Sequence, residues 1–87
     1  MFTESEFNKA MAELEGHKVY ENSNGYYYND LNQLMPLAWK HKLDLDYHVS
    51  TDSWRCESKS GEHYSDNKNP ITAVRYCLWL IHKENSK

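Results

Sequence analysis

Asp44, Asp46 and His48 alternate along Leu-Asp-Leu-Asp-Tyr-His at 43–48. On an extended chain, alternate residues share a face. Two carboxylates and one imidazole on that face would offer donors that a divalent metal accepts. Arg55 and Glu57 are expected across from them on a neighbouring strand. Residues i and i+2 lie roughly 7 Å apart along a strand, so a compact metal site needs a further ligand from elsewhere. The competing reading is a solvated outer sheet face with cross-strand charge pairing, and it carries more weight. The histidines at 17, 41, 48, 63 and 82 include no His-x-x-x-His pair, and Cys56 and Cys77 form no Cys-x-x-Cys site. No Gly-x-Ser-x-Gly elbow is present, and Gly16, Gly25 and Gly61 are too few and too scattered for a phosphate cradle. The expectation is therefore no catalytic residue, no cofactor and no metal, with Asp44, Asp46 and His48 kept as a weak metal alternative. Both cysteines fall on inferred core faces and read as inert buried thiols.

The aromatic residues are the more informative set. Tyr26, Tyr27 and Tyr28 run together, and Trp54 and Trp79 stand apart from them. Tyrosine and tryptophan combine large contact area with a polar handle, which interfaces favour. The alternative is that these rings close a core short of aliphatic side chains. Trp79 is the sharpest case. Ile71, Val74, Cys77, Leu78 and Ile81 mark one face of a helix, extended by Ala73 and Leu80. With Ile71 at zero, Trp79 falls at about 80°, among Thr72, Arg75 and Lys83. Burial against the first helix, in a homodimer or against a foreign partner would each recover its apolar surface. The intermolecular fates are favoured, so Trp79, Arg75, Tyr26, Tyr27 and Tyr28 form the candidate partner-binding set.

The elements that must position these residues are readable in order. Thr3 and Glu6 have capping-box spacing, with Phe2 and Phe7 as a hydrophobic staple. Phe7, Met11 and Leu14, with Ala10, make a stripe over a helix at 4–15, and Gly16 suits its left-handed end. His17 to Tyr20 is β-prone, and Asn24-Gly25 is a tight-turn pair. With Tyr26 to Tyr28 these residues form either a small hairpin or an aromatic loop. Leu31, Leu34, Met35 and Ala38, with Trp39 beside them, form a second helical stripe. Asn29 is its expected N-cap, and Pro36 predicts a bend or a 3₁₀ first turn before regular helix from about Met35. The alternation from 43 to 50 predicts a strand, with a turn at 51–53 and a second strand from Trp54 to Lys59, broken at Ser60-Gly61. A short third strand at 62–65 remains an option. Asn69-Pro70 opens the last helix.

The whole is expected to be one α+β domain over 1–87, an α/β sandwich of order α-(β)-α-β-β-α. Its small antiparallel sheet, of two to four strands, packs against helices. Leu34, Ala38, Leu45, Tyr47, Val49, Trp54, Val74, Cys77, Leu78 and Ile81 are the expected core. The first helix is left to pack beside the other helices, on the opposite sheet face or on a second copy. An 87-residue chain supports one modest core. A net charge of −3 argues against a general nucleic-acid-binding surface, which needs clustered Lys and Arg. With no apolar run near 18 residues and no signal peptide visible, a cytoplasmic protein without membrane contact is expected.

Three stretches carry a resemblance: Asp-Leu-Asn-Gln-Leu-Met-Pro-Leu-Ala-Trp-Lys at 30–40, the strand pair from Tyr47 to Cys56, and Asn-Pro-Ile-Thr-Ala-Val-Arg-Tyr-Cys-Leu-Trp-Leu-Ile at 69–81. Together with the opening helix and its Gly–aromatic sequel, they resemble small uncharacterised phage and prophage proteins of the phage ABA sandwich domain group. The resemblance covers about two thirds of the chain and rests on packing motifs. It implies a bacteriophage setting, the bacterial host cytoplasm and an α/β sandwich, and it carries no functional residue. The resulting expectation is a small non-catalytic accessory protein. It would bind a host or phage protein or a second copy of itself, and could blunt a host defence. A small metal-dependent enzyme and an acidic nucleic-acid mimic are the alternatives.

Overall fold

The alternation that begins at Leu43 makes a strand, and that strand sets the layering. The computed structural model describes residues 2–16 and 31–85. In it β1 (Leu43–His48) pairs antiparallel with β2 (Ser53–Ser58), and β2 with β3 (Tyr64–Asn67), in sheet order β1-β2-β3. The register puts Leu45, Cys56 and Ser65 side by side on one face, and Asp46, Arg55 and Asp66 on the other. The apolar face meets α2 (Leu31–Lys40) and α3 (Pro70–Asn85), while α1 (Glu4–Glu15) packs on α3. The fold is therefore α+β, a small antiparallel sheet against helices, in the order α-α-β-β-β-α. The expected hairpin or loop at 17–28 and the Asn29 cap lie outside the described residues.

α1 forms as its local signals require. The Thr3 hydroxyl accepts from the Glu6 backbone N–H at 3.1 Å, and the Glu6 carboxylate accepts from the Thr3 N–H at 3.0 Å. Phe2 stacks on Phe7 with ring centroids 5.0 Å apart. Gly16 closes the helix at φ 86°, donating its N–H to the carbonyls of Ala12 and Glu13. α3 opens with the Asn69 side chain accepting from the Ile71 N–H at 2.9 Å and with Pro70 at its first position.

α2 corrects two expectations. It is α-helical from Leu31, with Pro36 inside it, not regular only from Met35. Pro36 and Asn32 both lie on the exposed side, where water can take the carbonyl that proline leaves unbonded. Its buried residues are Leu34, Leu37 and Ala38, and Trp39 is 65% exposed. The apolar stripe thus takes in Leu37 as well, with Leu31 and Met35 packed half-buried against the core and Trp39 left outside it.

The expected core holds for Leu34, Ala38, Val74, Cys77 and Leu78, all fully buried, while Leu45, Trp54 and Ile81 pack against it half-buried. Tyr47 and Val49 do not belong to it. β1 ends at His48, and Val49 enters the turn to β2, where the Asp52 N–H bonds its carbonyl at 3.3 Å. Tyr47 lies on the inner face at the hairpin end, where its ring packs on Trp54 at 5.3 Å and its hydroxyl bonds Asp52. Phe7, Ala10, Met11, Leu37, Leu43, Cys56, Ala73 and Trp79 complete the cluster. Burying a side chain such as Phe, Leu or Met contributes about 1.5–3 kcal/mol, so α1 supplies a large share through Phe7 and Met11.

Candidate interaction surface

α1 and α3 run alongside one another in the same direction. Arg75 Nη2 lies 2.6 Å from Glu4 Oε2 near the start of α1, and His82 Nε2 lies 2.8 Å from Glu13 Oε2 near its end. Lys40, at the end of α2, donates to the carbonyls of Leu14 at 3.2 Å and Glu15 at 3.5 Å. The C-terminal ends of three helices therefore gather at one end of the molecule, and Lys40 and His82 sit where the helix dipoles favour positive charge.

The seam between α1 and α3 absorbs two of the candidate binding residues. Trp79 is only 9% exposed; its ring lies 4.9 Å from that of Phe2 and 6.0 Å from His82, with Lys83 over it at 5.7 Å. Of its three fates, the one taken is packing against the first helix. The reason is the breadth of the buried arc on α3. Sheet and α2 cover one side, where Cys77 reaches the His63 carbonyl, and α1 with Phe2 covers the next, where Arg75 and Trp79 lie. Arg75 is held over the Phe7 ring at 4.4 Å while its head pairs with Glu4. Both residues serve the interior contact of the protomer. Tyr26, Tyr27 and Tyr28 lie outside the described residues.

Asp44, Asp46 and His48 do share the outer sheet face, as their alternation predicts, and Asp44 and Asp46 are exposed. Arg55, opposite Asp46, turns to Asp66 on β3 in a two-pronged contact of 2.7 and 3.0 Å, with Tyr64 beneath it at 5.3 Å. This pairing raises the Arg55 pKa and holds Asp66 below the ordinary carboxylate range. Among the described residues no three His, Cys, Asp or Glu side chains are grouped so as to hold a metal ion. The outer face is thus an open, carboxylate-rich surface formed by Asp44, Asp46, Glu57 and Asp66 around one arginine.

Two features escaped the sequence reading. Trp39 is the first: it is the most exposed ring of the described residues, on the side of α2 away from the core, flanked by the exposed Lys40 and Lys42. Its angular distance from Leu34, Leu37 and Ala38 is readable once Leu37 is counted in the stripe. The second is a polar cavity of about 270 Å³ where the helix ends gather, lined by Glu13, Leu14, His41, His82 and Asn85. Burial, with a smaller contribution from Lys40, lowers the His41 pKa. These lining residues come from three distant stretches, so no spacing rule links them.

Comparison with known proteins adds no relative: no family model, curated protein or solved structure matches the chain. Among the described residues no helix is long and apolar enough to cross a membrane.

Proposed function

We propose that this chain is a small non-catalytic accessory protein that works by binding another protein. The observation that carries the reading is Trp39. An indole 65% exposed, on a helix whose buried stripe is complete without it, leaves a large apolar surface in water. Rigid aromatics of this kind, with a basic neighbour such as Lys42, are common anchors of protein interfaces. The phage setting follows from the resemblance of the sequence. In that setting the protein acts in the bacterial host cytoplasm on a host or phage protein, with inhibition of a host defence as one outcome. Trp39, not Trp79, takes the role of anchor, and Tyr26, Tyr27 and Tyr28 remain candidates beside it.

The test is Trp39→Ala. Stability should change by less than about 1 kcal/mol, as for an ordinary surface position. Capture of the partner from host lysate, or self-association in sedimentation, should weaken at least about tenfold. Undiminished capture by a folded variant would remove Trp39 from the interface. A second reading, the acidic nucleic-acid mimic, is favoured by Asp44, Asp46, Glu57 and Asp66 on one open sheet face. A mimic would lose its partner to competing DNA, and an interface anchored on Trp39 would not.

A further inference from the structure

β1 stands at one edge of the sheet, bonded to β2 on one side, and among the described residues no strand pairs with its other side. Six residues long, it runs from Leu43 to His48 in unbroken register, with no bulge and no proline. An edge of this kind offers a row of unpaired N–H and C=O groups that another extended chain can complete. β3, the opposite edge, is shorter, at four residues. On the outer face β1 carries Asp44 and Asp46, both exposed. Asp44 faces Glu57 across the ladder, and Asp46 faces Arg55, whose guanidinium is taken up by Asp66. Neither aspartate has an ion-pair partner among the described residues. On the inner face Tyr47 is nearly half exposed beside Trp54.

We propose that the open edge of β1 docks an extended segment of a partner protein in which lysine or arginine alternates with apolar residues. Backbone hydrogen bonds to β1 hold such a segment in the plane of the sheet. Its alternate side chains then fall on the two sheet faces. Those on the outer face lie beside Asp44 and Asp46, about 5 Å away, where a cation is stabilised and a carboxylate repelled. Those on the inner face continue the row of Leu45 and Tyr47, where an apolar side chain covers exposed ring surface. A second copy of the chain is a poor occupant. Two β1 strands paired antiparallel, with their outer faces on one side, bring the aspartates of both copies together. Asp44 and Asp46 thus guard the edge against self-pairing and admit a basic chain. This contact is separate from the one assigned to Trp39, and neither depends on the other.

The probe is the acetylated, amidated peptide Lys-Val-Lys-Val-Lys-Val-Lys, with Glu-Val-Glu-Val-Glu-Val-Glu as its counterpart, each titrated into the full chain at low salt. Backbone amides are followed by NMR. With the lysine peptide at about ten times its Kd, the free-edge amides of β1, every second one, should exchange with water about tenfold more slowly, while those bonded to β2 stay as they were. Asp44→Asn combined with Asp46→Asn should keep the fold and weaken the lysine peptide about fivefold, and added salt should shrink that difference. The proposal is overturned by any of four results: no binding at millimolar lysine peptide, equal binding of the glutamate peptide, undiminished binding to the double variant, or binding that leaves β1 exchange unchanged. The last would mark a basic ligand lying on the outer face with no strand added. Protection of both sets of β1 amides before peptide is added would overturn it too, since the edge would already be filled by the chain itself or by a second copy.

Discussion

Trp39 and Trp79 differ by which partner each helix presents to it, not by residue type. On α3 a tryptophan about 80° from the reference isoleucine would be outside a single buried face, but α3 has two buried sides, and the second is built from Phe2 and Phe7. Trp79→Ala should therefore destabilise a dilute monomer by about 3 kcal/mol or more, the cost of a cavity in place of a buried indole. Denaturant unfolding of both tryptophan variants checks the contrast, and equal stabilities would contradict it. His41 yields a prediction in pH. Its folded pKa lies below the ordinary histidine value of about 6.5, because burial disfavours the charged ring. Between the folded and unfolded pKa values the unfolded chain binds more protons, so stability is full above about pH 6.5 and falls as the pH drops through that window. His41→Gln should flatten this part of the curve, measured as ΔG of unfolding against pH; an unchanged slope would assign it to another group.

At the scale of the element, α1 was legible to the residue because each of its signals is local. Cap, staple and left-handed end lie within a few positions of the backbone groups they serve. The cap also matters beyond the helix, since Phe2, Phe7 and Glu4 all reach α3 from the first turn. Thr3→Ala should cost about 1 kcal/mol of global stability, read from chemical denaturation, with Thr3→Ser restoring most of it. A loss confined to helix fraying, with the global midpoint unmoved, would show that the first turn is not coupled to the core. β1 was legible in its facing and illegible in its length. Asp44 and Asp46 point outward as the alternation requires, yet Val49 prolongs the pattern past the point where pairing stops, and only the turn at 49–52 reveals the end. α2 was legible as a helix and in most of its stripe, but Leu37 was left out and Trp39 set beside it. Leu37 and Trp39 flank the stripe on opposite sides, and local spacing does not say which side the core covers.

For the whole molecule, the missing information was long-range. Sequence patterns named the class, the sheet and its layering, but the contact between α1 and α3 joins residues 71 positions apart at Glu4 and Arg75. No periodicity inside α3 announces that neighbour, so the interior role of Trp79 and the cavity formed by Glu13, His41 and His82 were both out of reach. α3 is the element on which everything else closes: sheet, α2 and α1 all rest against it. This arrangement has a consequence for synthesis. The ribosome delivers α1 first and the sheet next, and the helix that covers both comes last. During translation Phe7, Met11 and the inner face of the sheet must wait for their partner, with their apolar surface open to chaperones and to neighbouring nascent chains. The native core can form only after α3 leaves the ribosome, so what emerges before it is a chain in waiting.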